Sequence, residues 1–451
     1  MRLRLFLAGL FVCAASRALM ATEPAVYDLA TCIRAALKTS PDLMAIAADL
    51  AGARARLSEA QAGRFGRSEY TQVVGLVNEA RGDPVFSPDG KNDVFSGLGP
   101  FTRIDLDINI PLWTFGKLSA ALRAGQQALE GERARREVKR AEVVLRTKQL
   151  YYGLLLAEQL SEVLRDMLDT MDKAVATTQE RLDAGSSAVS ELDLLKLKTG
   201  RAKFAKGVLV VEASTRFTRS ALARETGQPA GSDFRIADRK LTPVEANIAP
   251  LPVYLLKGPA RRPELRRLLS GMAAQSAKVA LEEASYYPTL FLSTGLQFAR
   301  AGNRTEQSNP FAEDDFNFIR PVGVLGMRWD LNFLTTRAKV AQARAELESL
   351  RAQQREAATG LDLEIRRAYS NVLRARDTIA AAKEGRKAGR ALLILTVANF
   401  DMAIGEAEEL FDGLGAYTEA STNYFRAVHD YNVAVATLSK AVGDEVTPLR
   451  Y

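Results

Sequence analysis

The chain has 451 residues, 47% of them hydrophobic and 25% charged, the balance of a folded protein rather than a disordered one. Its formal charge is +7, to which Arg2, Arg4 and Arg17 contribute, and no basic cluster with interleaved aromatics points to a nucleic-acid partner. Two cysteines (Cys13 and Cys32) and one histidine (His429) are too few for a Cys/His zinc site, and no nucleophile elbow accompanies His429, so neither an enzyme nor a cofactor is expected.

Residues 1–21 read as a secretory signal. Arg2 and Arg4 precede the apolar run Leu5 to Ala15, and small residues follow, with cleavage expected after Ala18 or Ala21. Arg17 and the shortness of the run argue against a membrane anchor, and Val12 is a poor neighbour for lipidation of Cys13. No later apolar run is long enough for a spanning helix, which needs about 18 residues.

From Tyr27 to Gly63 the pattern is helical, with Asp28 as a cap, Ser40-Pro41 starting a second segment, and Leu43, Ile46, Leu50 and Leu57 on its buried face. A β-prone stretch at 68–77 runs into the loop Asn78 to Pro100, rich in glycine and proline. Residues 103–110 alternate strictly, with Ile104, Leu106, Ile108 and Ile110 between Asp105, Asp107 and Asn109, and Pro111 ends the run. A helical hairpin at 114–225 follows. Its first arm, Lys117 to Leu182, contains no proline, and at ~1.5 Å per residue it reaches roughly 100 Å. Leu156, Leu160, Leu164, Met167, Met171 and Val175 form an apolar stripe along it. Gly185 breaks the pattern, and a second arm runs from Ser190 to Arg224. Residues 229–257 read as a connector with one short helix.

The pattern then starts again. Ser40-Pro41-Asp42-Leu43 matches Arg262-Pro263-Glu264-Leu265, Leu150-Tyr151 matches Ala368-Tyr369, and Glu191-Leu192 matches Glu409-Leu410. The second unit, 258–445, has strands expected near 288–298 and 321–331 and a helical hairpin at 336–443. Each unit, the first being 22–228, reads as helix, strand, loop, strand, long helix, tip, helix. The fold class expected is mainly α with a transmembrane β-barrel contribution. Four strands cannot close a barrel, and open edges are not tolerated in lipid. Three chains supply twelve strands, enough for a lumen. Ile104, Leu106, Ile108 and Ile110 are expected to meet lipid while Asp105, Asp107 and Asn109 line water; in the third strand Leu290, Leu292, Thr294 and Leu296 share one face and Phe291, Ser293, Gly295 and Gln297 the other. A soluble sheet packed on the helices is the competing reading of the strands alone.

These residues resemble the TolC-type outer-membrane efflux proteins. Tyr286-Tyr287-Pro288-Thr289-Leu290 resembles that family's entry into its third strand, and Ile110-Pro111-Leu112-Trp113-Thr114-Phe115-Gly116-Lys117 its exit from the second. Arg181 to Asp193 and Asn399 to Asp412 resemble its two helical tips. The resemblance implies a homotrimer in the outer membrane, with a twelve-stranded barrel and a long α-helical periplasmic tube. It implies docking of a periplasmic adaptor at the tips (Ala184, Gly185, Ser186 and Glu191; Ala403, Ile404 and Gly405) and, through it, an inner-membrane pump or ABC transporter of a tripartite efflux or type I secretion system. Glu409 and Asp412 fall where that family has constricting carboxylates. Residues three apart share a helix face, so three-fold symmetry gathers six carboxylates; a solvated acidic helix start is the competing reading. The chain departs from the family where Ala403 replaces glycine, with Gly405 two residues later, and where Ser186-Ser187 replaces an apolar residue. The alternative function is a secreted or periplasmic coiled-coil scaffold without a pore.

Overall fold

The structure, a computed structural model, describes residues 26–82, 91–92, 97–186, 189–229, 234–307, 309, 311 and 313–447. The expected signal at 1–21, Cys13 and Ser187 lie outside these residues. A short strand β1 (Val26–Tyr27) leads into α1 (Leu29–Thr39) and α2 (Pro41–Ala62). Asp28 caps α1 by accepting from the Thr31 amide, and Pro41 opens α2. Tyr27 is therefore strand rather than helix. It pairs in parallel with Ile236 of β6 (Arg235–Ile236), a partner about two hundred residues away that local periodicity does not register.

A sheet strand β2 (Arg67–Val77) follows, then the short pair β3 (Ala80–Arg81) and β4 (Lys91–Asn92), and the long β5 (Gly99–Trp113). The second half supplies α5 (Leu251–Arg261), α6 (Pro263–Glu283), β7 (Thr289–Ala301) and β8 (Phe318–Arg328). One antiparallel sheet of order β2-β5-β7-β8 results, and its two outer edges face no other strand of the chain among the described residues. β5 runs past Pro111, where the alternating pattern stops, because a bulge between Pro111 and Trp113 takes up the proline and pairing resumes at Leu290. At the start of β2, Gly66 has φ +79, and any Cβ there would collide with the backbone of Asn109. The glycine stands there because the chain crosses the sheet at contact distance.

Below the sheet are two helical hairpins: α3 (Lys117–Asp183) with α4 (Glu191–Glu225), and α7 (Phe333–Asp401) with α8 (Ala407–Val442). α3 and α7 have 67 and 69 residues, so each extends for roughly 100 Å. The main core lies where the hairpins meet, around Tyr151, Leu154, Met171, Leu197, Leu410 and Leu414, all fully buried. The Tyr151 hydroxyl donates to Asp238 at 2.7 Å, so this buried ring is held at both ends. α5 crosses residue 257, where composition alone would end a connector. Gly258 lies against Ile365 and Val442, and that packing holds Gly258 and Pro259 within a helix.

Candidate channel entrance at the helical tips

Both hairpins turn by the same local chemistry. In the first, the Ser186 amide donates to the Arg181 carbonyl and the Gly185 amide to Leu182. In the second, Ile404 donates to Asn399 and Ala403 to Phe400. Each is a Schellman closure, which places one residue in the left-handed region. Gly185 takes that place with φ +74; Ala403 takes it with φ +59. The alanine that departs from the family pattern therefore sits at the glycine position itself. Gly405 serves another need: a Cβ there would press on Asn399 at 2.9 Å.

The helices that leave the turns start differently. Ser190 and Asp193 cap α4 reciprocally, each accepting from the other's backbone amide. α8 has no side-chain cap, and Glu408 and Glu409 sit in its first turn, where the positive end of the helix dipole favours carboxylates.

The two tips are tied together. Arg181 donates to the carbonyls of Phe400 at 3.2 Å and Asp401 at 2.8 Å, satisfying the open end of α7. Lys196 donates to Glu408 at 2.7 Å. That hydrogen bond holds the Glu408 carboxyl below its usual range and the Lys196 ammonium above its own. Lys203 lies 4.9 Å over the Phe411 ring, which packs on Gly200.

Glu409 and Asp412 are both exposed on α8, and among the described residues neither has an ion-pair partner. Ala184, Gly185, Glu191, Ala403 and Ile404 are exposed, while Ser186 and Gly405 are half-buried. Sequence reasoning missed the latch residues Arg181, Lys196 and Glu408, whose pairing spans more than two hundred residues. It also missed Leu192 and Met402, 62% and 63% exposed, which extend the apolar surface around Ile404, 74% exposed. Leu192 and Leu195 look like core positions by composition, but Leu194 and Leu197 take the buried face.

Comparison with known proteins bears on the family and the fold. A family model described as outer membrane efflux protein matches residues 32–195 and 259–444. Outer membrane protein TolC of Vibrio cholerae is 24% identical over 313 residues, 67% of each chain. The multidrug resistance outer membrane protein MdtP of Shigella flexneri is 26% identical over 246 residues, 54% of this chain and 48% of MdtP, so the chain spans about half of that relative. The outer-membrane channel OprN superposes with a TM-score of 0.75 at 19% identity, covering 93% of this chain and 91% of OprN. The outer membrane protein VceC of Vibrio cholerae gives 0.73 at 16% identity over 93% and 96%. These two likenesses bear on the fold, a helical tube with a β-barrel contribution. The family match covers most of the chain: this chain belongs to the outer membrane efflux protein family, the outer-membrane channels of efflux.

Proposed function

We propose that the chain is one third of a passive export duct. Three chains join β8 of one to β2 of the next, closing a twelve-stranded barrel over a tube of helices. The observation that carries this reading is the open sheet. On one face lie Ile104, Leu106, Ile108 and Ile110 with their cross-strand partners Phe298, Leu296, Thr294 and Leu292. On the other lie Asp105, Asp107 and Asn109 with Gln297, Gly295 and Ser293. Such a sheet suits lipid outside and water inside, but its two free edges demand neighbours. Residues 22–228 and 258–445 are read as two copies of one unit, placed after a cleaved segment at 1–21.

In this reading the tips form the periplasmic entrance. Glu409 and Asp412 of three chains make a ring of six carboxylates that attracts cations and obstructs anions. The Arg181 and Lys196 links hold the first hairpin against the second and keep the entrance narrow. A periplasmic adaptor, docking on the exposed residues of both turns, shifts these links, and the inner-membrane pump or ABC transporter behind it supplies the energy. The duct itself performs no covalent chemistry.

Single-channel recording of the detergent-purified mature protein in a planar bilayer, with its native mass, tests the reading. A trimer with small, cation-preferring conductance is expected, and Glu409→Ala with Asp412→Ala is expected to abolish the preference. A water-soluble monomer or dimer without conductance would overturn the duct in favour of a coiled-coil scaffold. Unchanged ion selectivity in the double variant would remove the carboxylate ring.

A further inference from the structure

Two aromatic groups frame the junction between sheet and helices. Trp113 meets Phe115 edge-on at 6.2 Å between ring centroids, and Phe115 stacks on Tyr287 at 5.6 Å. Trp329 meets Phe333 edge-on at 6.1 Å, and Tyr286 stacks on Phe333 at 6.3 Å. All but Tyr286 are exposed. Trp113 pairs with Leu290, which shares the apolar face with Leu292 and Leu296, so this collar lies at the lower end of that face.

Beneath the collar a groove opens between α3, α6 and α7. Phe115 and Tyr287 line its upper part with Arg123, Arg337, Arg344 and Glu283. Three guanidinium groups thus face one carboxylate, and Glu283 is engaged by Arg344 at 2.6 Å. Among the described residues Arg123 and Arg337 have no ion-pair partner. Among the described residues the groove therefore carries a net positive charge, three guanidinium groups against one carboxylate.

Depth and direction follow from the helices. α3 and α7 both start at the sheet, so every Cα–Cβ bond on them leans back toward the membrane. Arg337 lies four residues past Phe333, roughly 6 Å at 1.5 Å per residue, and Arg123 six residues past Lys117, roughly 9 Å. The headgroup layer on each side of a bilayer is about 5–8 Å deep. Arginine stems of this length reach up into it.

We propose that this groove binds the phosphodiester of a membrane phospholipid, one per protomer, with the acyl chains rising past Trp113 along the apolar face. A planar guanidinium donates two parallel hydrogen bonds to a phosphate, and two arginines from different helices bracket one headgroup. The aromatic collar fixes the depth at which the headgroup sits. The proposal rests on the lipid-facing reading of the sheet.

Native mass spectrometry of the detergent-purified full chain, titrated with dioleoylphosphatidylglycerol, tests it. Each arginine near an anionic headgroup contributes a factor of about five, so Arg123→Gln with Arg337→Gln is expected to weaken binding by tenfold or more. Glu283→Gln releases Arg344 and is expected to tighten binding by roughly fivefold. Inorganic phosphate in large excess is expected not to displace the lipid. Equal binding by the double variant, no tightening in Glu283→Gln, or displacement by free phosphate would each overturn the site. The sheet reading fails separately: an Ile108→Arg protein that inserts normally would sink it, whatever the arginines do.

Discussion

Lys148 is 2% exposed, yet it is a lysine. Its ammonium donates to both oxygens of Glu445 at 2.9 Å, and Glu445 also accepts from Ser439 and Thr447. Burial pulls the Lys148 pKa down and Glu445 pulls it back up, the burial effect being the larger. Removing Glu445 takes two carboxylate acceptors from an ammonium held out of water. Glu445→Ala is expected to cost about 3–5 kcal/mol, read as a lowered thermal midpoint in detergent. The Lys196–Glu408 link at the tips is exposed and weaker, and in the proposed duct its role is positional. The Glu408 carboxyl is held below its ordinary value of 4.5, so the link is complete above that value and is lost as pH falls through the folded one. In the proposed duct, the conductance of a protein carrying Glu409→Ala and Asp412→Ala, which removes the ring's own titration, is therefore expected to be flat from pH 5 to 8 and to rise in more acidic solution. Adding Glu408→Gln to that protein is expected to show the raised conductance already at neutral pH. Neither pair was legible in the sequence. Lys148 sits among the charged residues of an ordinary amphipathic helix, and its partner lies 297 positions away.

At the scale of elements, the strands were readable because they alternate. Ile104 to Ile110 announces a sheet with two unlike faces, and the register gives each apolar residue an apolar or neutral partner across β7. Ile108→Arg is expected to cost about 2–4 kcal/mol near the bilayer midplane, measured as a lower folded yield in lipid vesicles. What could not be read was the bulge at Pro111, since a proline in a strand pattern signals an end and only the pairing on the far side shows a continuation. The tips show the converse. The sequence marks Ala403 as a departure; its φ of +59 shows what the departure costs, because a left-handed alanine is strained by about 1–2 kcal/mol. Ala403→Gly removes that strain at some loss of unfolded-state order, and a net gain of about 1 kcal/mol is expected. Close packing nearby leaves no such freedom. A Cβ on Gly413 would collide with the Thr396 side chain, so Gly413→Val is expected to destabilise the α7–α8 hairpin by about 1–3 kcal/mol.

At the scale of the whole molecule, the chain is long and, in the proposed duct, completed only by its neighbours. Its helices exceed any single globular core, and among the described residues its sheet ends in two edges that no other strand pairs. Those edges carry a genetic consequence as well as a physical one. A subunit that closes a ring by lending an edge to each neighbour can spoil complexes it does not fully compose. A proline introduced on the outward hydrogen-bonding side of β2 would leave the subunit able to fold its helices and occupy a place in a trimer, while blocking closure at that seam. Expressed in equal amount with the normal chain and mixing at random, such a subunit would leave only about one trimer in eight free of it. The defect would therefore be dominant, and the activity that remains would follow the cube of the normal fraction.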